Sequence, residues 1–201
     1  TDSKFLVPGA AGSSGCRQSV GFVVLGSVGV IERSKFVVGI SSHPRGGAID
    51  DSWVELYQNY LYGGGSNGTS SCTWSAGDDY GLYIGNTSWV RAVGNTIDPG
   101  GSLGSGIPAS GFLCRDTSTL LMTSNIVSSG RSQGGIIAEG GVSVGTGCYN
   151  PANYRKNYFY YANPTGSPGA NERLSLLLPP GTTNIDGGTT SCFLAQPQPD
   201  Y

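Results

Sequence analysis

Histidine, charge and long apolar runs are all scarce in this chain, and each scarcity excludes something. Only 12% of the 201 residues are charged, about half the usual fraction. Their 11 Lys plus Arg against 13 Asp plus Glu leave a net charge of -2. No basic stripe is available to displace counterions from phosphates, so nucleic acid is not an expected partner. No apolar run approaches the roughly 18 residues that span a bilayer, so membrane insertion by a helix is not expected either. The single histidine, His43, lies in Ser41-Ser-His-Pro-Arg-Gly-Gly47. That segment reads as a polar turn with an exposed imidazole, too poor in ligands for zinc. No segment keeps a 3.6-residue apolar recurrence over ten or more residues, which excludes core helices.

What is present is glycine, 34 residues of it, more than twice the average usage of roughly 7%. Between the glycines, short apolar or alternating runs recur from end to end. They predict strands at Ser19–Leu25, Ser27–Glu32, Lys35–Ile40, Trp53–Tyr62, Tyr80–Ile84, Trp89–Val93, Phe112–Cys114, Thr119–Val127, Gly135–Glu139, Tyr154–Tyr161 and Arg173–Leu178. Asn67-Gly68 and Asp186-Gly187 supply residues that tolerate the positive φ of tight turns. Gly63–Gly77 and Asp98–Gly111 read as long glycine-rich loops, of the kind that carry function. With no helix-length segment to make a crossover, parallel units are set aside. An all-β, antiparallel sandwich or elongated barrel over residues 1–194 is the expectation. Residues 195–201, with alternating prolines, read as the start of a semi-rigid linker to a further domain.

Cysteines fall at 16, 72, 114, 148 and 192, with no Cys-x-x-Cys pair of the metal or redox type. Disulfides and an oxidising, extracellular compartment are therefore expected, with one thiol left over and the connectivity open. A chain that starts at Thr1 fits a secreted protein whose signal segment has been removed.

Several motifs match enzyme patterns by spacing alone. Gly100-Gly-Ser102-Leu-Gly104 and Gly141-Val-Ser143-Val-Gly145 have nucleophile-elbow spacing, but His43 precedes both serines and no helix follows either. Gly63-Gly-Gly65-Ser-Asn-Gly68 has dinucleotide spacing, again without a helix to receive a pyrophosphate. Asp50-Asp51 and Asp78-Asp79 could supply the two carboxyl groups of a glycoside hydrolase, yet neighbours on one strand point to opposite faces. Solvated turn residues or oxygen ligands for calcium are the plainer readings. Asn67-Gly-Thr69 and Asn86-Thr-Ser88 are glycan acceptors if the source is eukaryotic. No catalytic residue, resident metal or cofactor is assigned.

Aromatic residues with short polar neighbours form the most suggestive constellation. Trp74, Asp78, Asp79, Tyr80, Asn86, Trp89, Tyr149, Asn150 and Tyr154 are the candidate ligand-binding residues. Flat aromatic faces beside Asp and Asn hydrogen-bonding groups suit a polar ligand such as a sugar. Trp53, Trp89, Phe159 and Tyr161 have an equal claim to the core.

Short β segments, scattered cysteines, glycine-rich loops and the Ala195–Tyr201 tail together resemble the N-terminal receptor-binding, or lectin, domain of a chaperone-usher fimbrial tip adhesin. That resemblance implies an immunoglobulin-like sandwich or elongated barrel at a fimbrial tip. It also implies a host glycan or matrix protein as partner, a following pilin domain and other pilus subunits. A non-enzymatic adhesin is the reading it favours. A secreted glycoside hydrolase and a structural subunit of an extracellular fibre are the alternatives.

Overall fold

In the computed structural model the described residues are 3–8, 18–41, 43–64, 79–100, 109–128, 136–139, 148, 153–160 and 185–186. Among the described residues the all-β expectation holds, with the predicted strand Arg173–Leu178 lying outside them, but every pairing is parallel, which overturns the antiparallel, immunoglobulin-like sandwich or barrel. The chain winds as a parallel β-helix. Three strands make one coil, and each strand pairs with its counterpart one coil later.

One sheet runs β1 (Ser3–Val7), β5 (Ser34–Val38), β8 (Tyr60–Tyr62), β11 (Thr96–Asp98), β14 (Ile126–Ser128), β17 (Tyr158–Tyr160) and β18 (Ile185–Asp186). We call it sheet A. Sheet B holds β2 (Gln18–Val20), β6 (His43–Asp50), β9 (Asp79–Gly85), β12 (Ala109–Arg115) and β15 (Ile136–Glu139), with β3 (Val23–Leu25) also on β6. Sheet C holds β4 (Val28–Glu32), β7 (Trp53–Tyr57), β10 (Trp89–Val93), β13 (Thr119–Thr123) and β16 (Tyr154–Arg155). The chain visits B, C and A in turn, so the route from one strand to its parallel neighbour consists of two other strands. No helical crossover is needed, and the premise that excluded parallel pairing fails.

Two corners fix the coil. Between C and A, Arg33, Gln58, Gly94, Ser124 and Lys156 all take positive φ. Each is followed at once by Ser34, Asn59, Asn95, Asn125 or Asn157. The four asparagines are 2% exposed or less and stack along the axis. Each main-chain N–H and each Nδ2 donates to the Oδ1 of the next, at 2.8 and 3.0 Å for Asn59 to Asn95. The same pair of bonds joins Asn95 to Asn125 and Asn125 to Asn157, at 2.9 to 3.0 Å. The remaining Nδ2 hydrogens reach carbonyls of the coil before, such as Leu56 and Ala92. Buried amides are thus satisfied in both donor and acceptor roles, as an interior demands. Three predicted strands, Trp53–Tyr62, Thr119–Val127 and Tyr154–Tyr161, each run across such a corner and divide there into two.

Between B and C the corner residues with positive φ are Gly26, Asp51, Asn86 and Asp116. A serine ladder follows them, in which the Ser27 N–H donates to Ser52 Oγ at 3.1 Å and the Ser52 N–H to Ser88 Oγ at 3.3 Å.

Alternation in the strands fills the lumen. Val54, Val90 and Leu120 stack from sheet C in register, as do Leu56, Ala92 and Met122 one position along. Leu61 and Ile97 come from sheet A, and Ile49, Ile84 and Cys114 from sheet B, all with no exposed surface. Cys114 is bonded to Cys148, so the expectation of a disulfide is met at these two positions, while Cys16, Cys72 and Cys192 lie outside the described residues. His43 sits inside β6 and is buried, so the polar-turn reading of that segment gives way to strand.

A column of glycines runs across sheet B. Gly21, Gly46, Gly81 and Gly111 occupy one register across successive strands. A Cβ on Gly46 would meet the Gly81 carbonyl oxygen at 2.5 Å and the Leu61 Cβ at 3.2 Å, and one on Gly81 would meet the Gly111 oxygen at 2.7 Å. Only hydrogen fits there, because a Cβ would strike both the carbonyl of the next strand of sheet B and the side chains of sheet A.

Candidate site on the outer face of sheet C

Strand alternation that sends Val54 and Leu56 inward sends Trp53, Glu55 and Tyr57 outward, and the next coil does the same with Trp89, Arg91 and Val93. Parallel register then stacks like positions. Val28, Trp53, Trp89 and Thr119 form one outward row. The two indoles lie 4.5 Å apart between centroids with planes 44° apart. Trp53 is 53% exposed and Val28 84%. A pair of this kind contributes about 0.5–1.5 kcal/mol to coil stacking, yet over half of the Trp53 surface still faces solvent.

One position along, Glu55 and Arg91 face each other across adjacent strands with a 3.7 Å ion pair. Both are open enough to water that the pair adds little stability. The Tyr57 hydroxyl donates to Glu55 Oε2 at 2.8 Å, and the Arg91 guanidinium lies 5.9 Å from the Tyr57 ring centre. Hydrogen bonding to Glu55 holds the Tyr57 proton more tightly than usual. The effect of these contacts is positional: they keep three polar side chains beside the indoles.

The B–C corner borders the tryptophan row. Asp51 Oδ1 accepts from Thr87 Oγ1 at 2.9 Å, and Oδ2 accepts from Asn86 Nδ2 at 3.3 Å. Asp116 Oδ2 accepts from the Asn86 N–H at 3.1 Å. The Asn86 carbonyl in turn accepts from the Ser118 hydroxyl at 3.1 Å. Asp51 is therefore engaged in holding the corner. Asp50, just before it, has its carboxyl raised above the ordinary range by burial, with the charges of Asp51 and Asp116 adding to the effect.

The sequence-derived candidates are dispersed by this fold. Asn86 and Trp89 share a coil and sit at the corner and on the face respectively. Tyr80 is in β9 and 2% exposed, with the Arg45 guanidinium 5.8 Å from its ring. Tyr154 is in the core at 1% exposure, where it donates to the Cys148 carbonyl and burial raises its pKa. Asp79 opens β9. Trp74, Asp78, Tyr149 and Asn150 lie outside the described residues. Trp53 is the residue that sequence reasoning left among core candidates. Its signal was a repeat: Ser52-Trp53-Val54 and Ser88-Trp89-Val90 are the same tripeptide, 36 residues apart, each followed five residues after Val by Asn59 or Asn95.

Among the described residues no group of three or more His, Cys, Asp or Glu is arranged to hold a metal ion, and no helix is long and apolar enough to cross a membrane. Compared with family models, curated proteins and solved structures, the chain matches none of them.

Proposed function

We propose that this protein is a non-enzymatic binder of an extracellular glycan, and that the outer face of sheet C makes the contact. One observation carries the reading: two indoles stacked in register with one more than half exposed, on a face that also displays Tyr57, Glu55 and Arg91 in fixed positions. Aromatic faces bind the apolar faces of sugar rings, and adjacent carboxylate and guanidinium groups orient the hydroxyls. A sheet face has no walls, so it suits a chain of sugars laid along it. The Cys114–Cys148 disulfide favours an oxidising compartment. The fimbrial-adhesin resemblance implied an immunoglobulin-like architecture that the parallel coil does not have, and attachment to a pilus is not part of the proposal.

A glycan array probed with the purified protein tests it, followed by the same array with Trp53→Ala. Retention of an oligosaccharide by the native protein and its loss from the variant are the expected results. Equal retention by both removes the face as the site. The first coils favour a second reading, a fibre subunit, because Leu6, Leu25 and Val28 are 61%, 64% and 84% exposed on β1, β3 and β4. Strands that end a sheet can add a neighbour, and assembly that rises with concentration while no glycan binds would replace the first reading with this one.

A further inference from the structure

We infer that a groove where sheets C and A meet in the first coils is a binding site for the sulfate or carboxylate groups of an acidic polysaccharide. The groove is shallow and open to solvent, with a volume of about 550 Å³, and three of its lining residues are Lys4, Arg33 and Lys35. Lys4 and Lys35 are directly opposite in the parallel β1–β5 ladder. Strands so paired are roughly 4.8 Å apart, and like charges opposite one another destabilise the pairing. Among the described residues no acidic side chain lines the groove. Glu32, outside the lining, reaches Arg33 at 3.5 Å, which leaves the two lysines without a described carboxylate. An anionic ligand supplies the missing countercharge.

The walls are built to hold their shape. Arg33 takes φ 46° at the corner, its N–H donates to the Tyr57 carbonyl at 2.9 Å, and its own carbonyl accepts the Ser3 N–H at 3.3 Å. Its backbone is thus tied to the coil on either side. The Lys35 ammonium lies 5.0 Å from the centre of the Tyr60 ring, a contact that orients the cation and places an aromatic surface in the same groove. Cations beside a tyrosine ring suit an acidic sugar, whose ring can pack while its charged group is neutralised. Nucleic acid is the weaker fit. The chain as a whole is acidic, and its 11 basic residues are spread thinly along the sequence with no basic run to track a phosphate backbone. The inference does not depend on the tryptophan face.

Binding of a fluorescent, fully sulfated hexasaccharide tests the site. A polyuronate hexasaccharide, a neutral hexasaccharide and a single-stranded DNA of equal charge serve as comparators. Expected is binding of the sulfated or uronate ligand in low salt that fades toward ~1 M salt, where the Debye length is about 3 Å. Lys4→Ala with Lys35→Ala should weaken it at least about tenfold, near the product of two exposed ionic contacts. Arg115→Ala, a cation at the end of β12 on sheet B outside the groove, should leave it unchanged. Thermal unfolding of the double variant should occur at the same temperature or higher, since a repulsion is relieved. If neither acidic hexasaccharide binds, if the neutral one or the DNA binds as tightly, or if Arg115→Ala loses as much as the lysine variant, the inference is overturned. Should the double variant fail to fold, Lys35→Gln alone decides the question by the same comparison.

Discussion

Asn59 and Asn95 are 36 residues apart in sequence, yet Asn95 Oδ1 accepts both the main-chain N–H of Asn59 at 2.8 Å and its Nδ2 at 3.0 Å. One side-chain oxygen thereby ties two coils together at a buried corner. Asn95→Ala removes it, and also the Nδ2 that donates to the Leu56 carbonyl at 2.9 Å. At least two buried donors and one acceptor lose partners, each worth roughly 1–3 kcal/mol. A loss of about 3–5 kcal/mol in urea unfolding is expected. A loss under about 1 kcal/mol would mean that the ladder adds little.

The glycine column predicts opposite outcomes for two alanine substitutions. Gly46→Ala puts a Cβ 2.5 Å from the Gly81 carbonyl oxygen on the neighbouring strand of sheet B and 3.2 Å from the Leu61 Cβ of sheet A, so backbone must shift on both sides, at a cost of about 2–3 kcal/mol or more. At Gly29, in β4, a Cβ has nothing within 4 Å. Gly29→Ala should be neutral or stabilise by about 0.4–1 kcal/mol through the unfolded chain. Denaturant midpoints of the two variants and the native protein give the comparison.

Much of the strand content was legible in the sequence, and the architecture was not, for a physical reason. Strand runs such as Lys35–Ile40 and Trp89–Val93 announce themselves by composition, because a buried face needs apolar side chains whatever the neighbouring strand's direction. Direction is set by what lies between. A helix-free sequence argues for antiparallel pairing only if a parallel partner must be the next-but-one element, and in a coil of three strands that premise does not hold. The information sat instead in the recurrence of Ser, Asn and Gly at intervals of 25 to 36 residues, the range that marks solenoids. Unequal loops blurred the period. Of the site, Trp89 and Asn86 were visible as residue types beside each other, whereas the exposure of Trp53 follows only from the register that places it next to Trp89.

Partial burial of Asp98 in sheet A predicts a pH dependence of definite sign. Its carboxyl accepts the Gly100 N–H at 2.9 Å, but desolvation outweighs this and raises its pKa. The folded state therefore binds the proton more tightly than the unfolded chain does. Its contribution is complete below the ordinary carboxylate value of about 3.9 and is lost as pH rises through the raised folded value. Asp98→Asn keeps an acceptor for Gly100 without a charge. The variant should be more stable than the native protein at pH 7, and its advantage should vanish toward pH 3. An equal difference at both pH values would count against the assignment.

Trp53 and Trp89 separate packing from binding. If the indole pair served only coil stacking, removing either ring would lower stability by about 0.5–1.5 kcal/mol and do nothing further. On the binding reading, Trp53→Ala also loses affinity for the array-identified glycan by some thirtyfold, near 2 kcal/mol, as expected of an aromatic anchor at a contact centre. Trp53→Phe, which keeps a flat face, should recover most of that affinity. Ligand covering an indole that is 53% exposed should also shift its fluorescence to shorter wavelength, a change absent from Trp53→Ala. A stability loss without any change in affinity would leave the pair as packing alone, with the glycan held elsewhere on the coil.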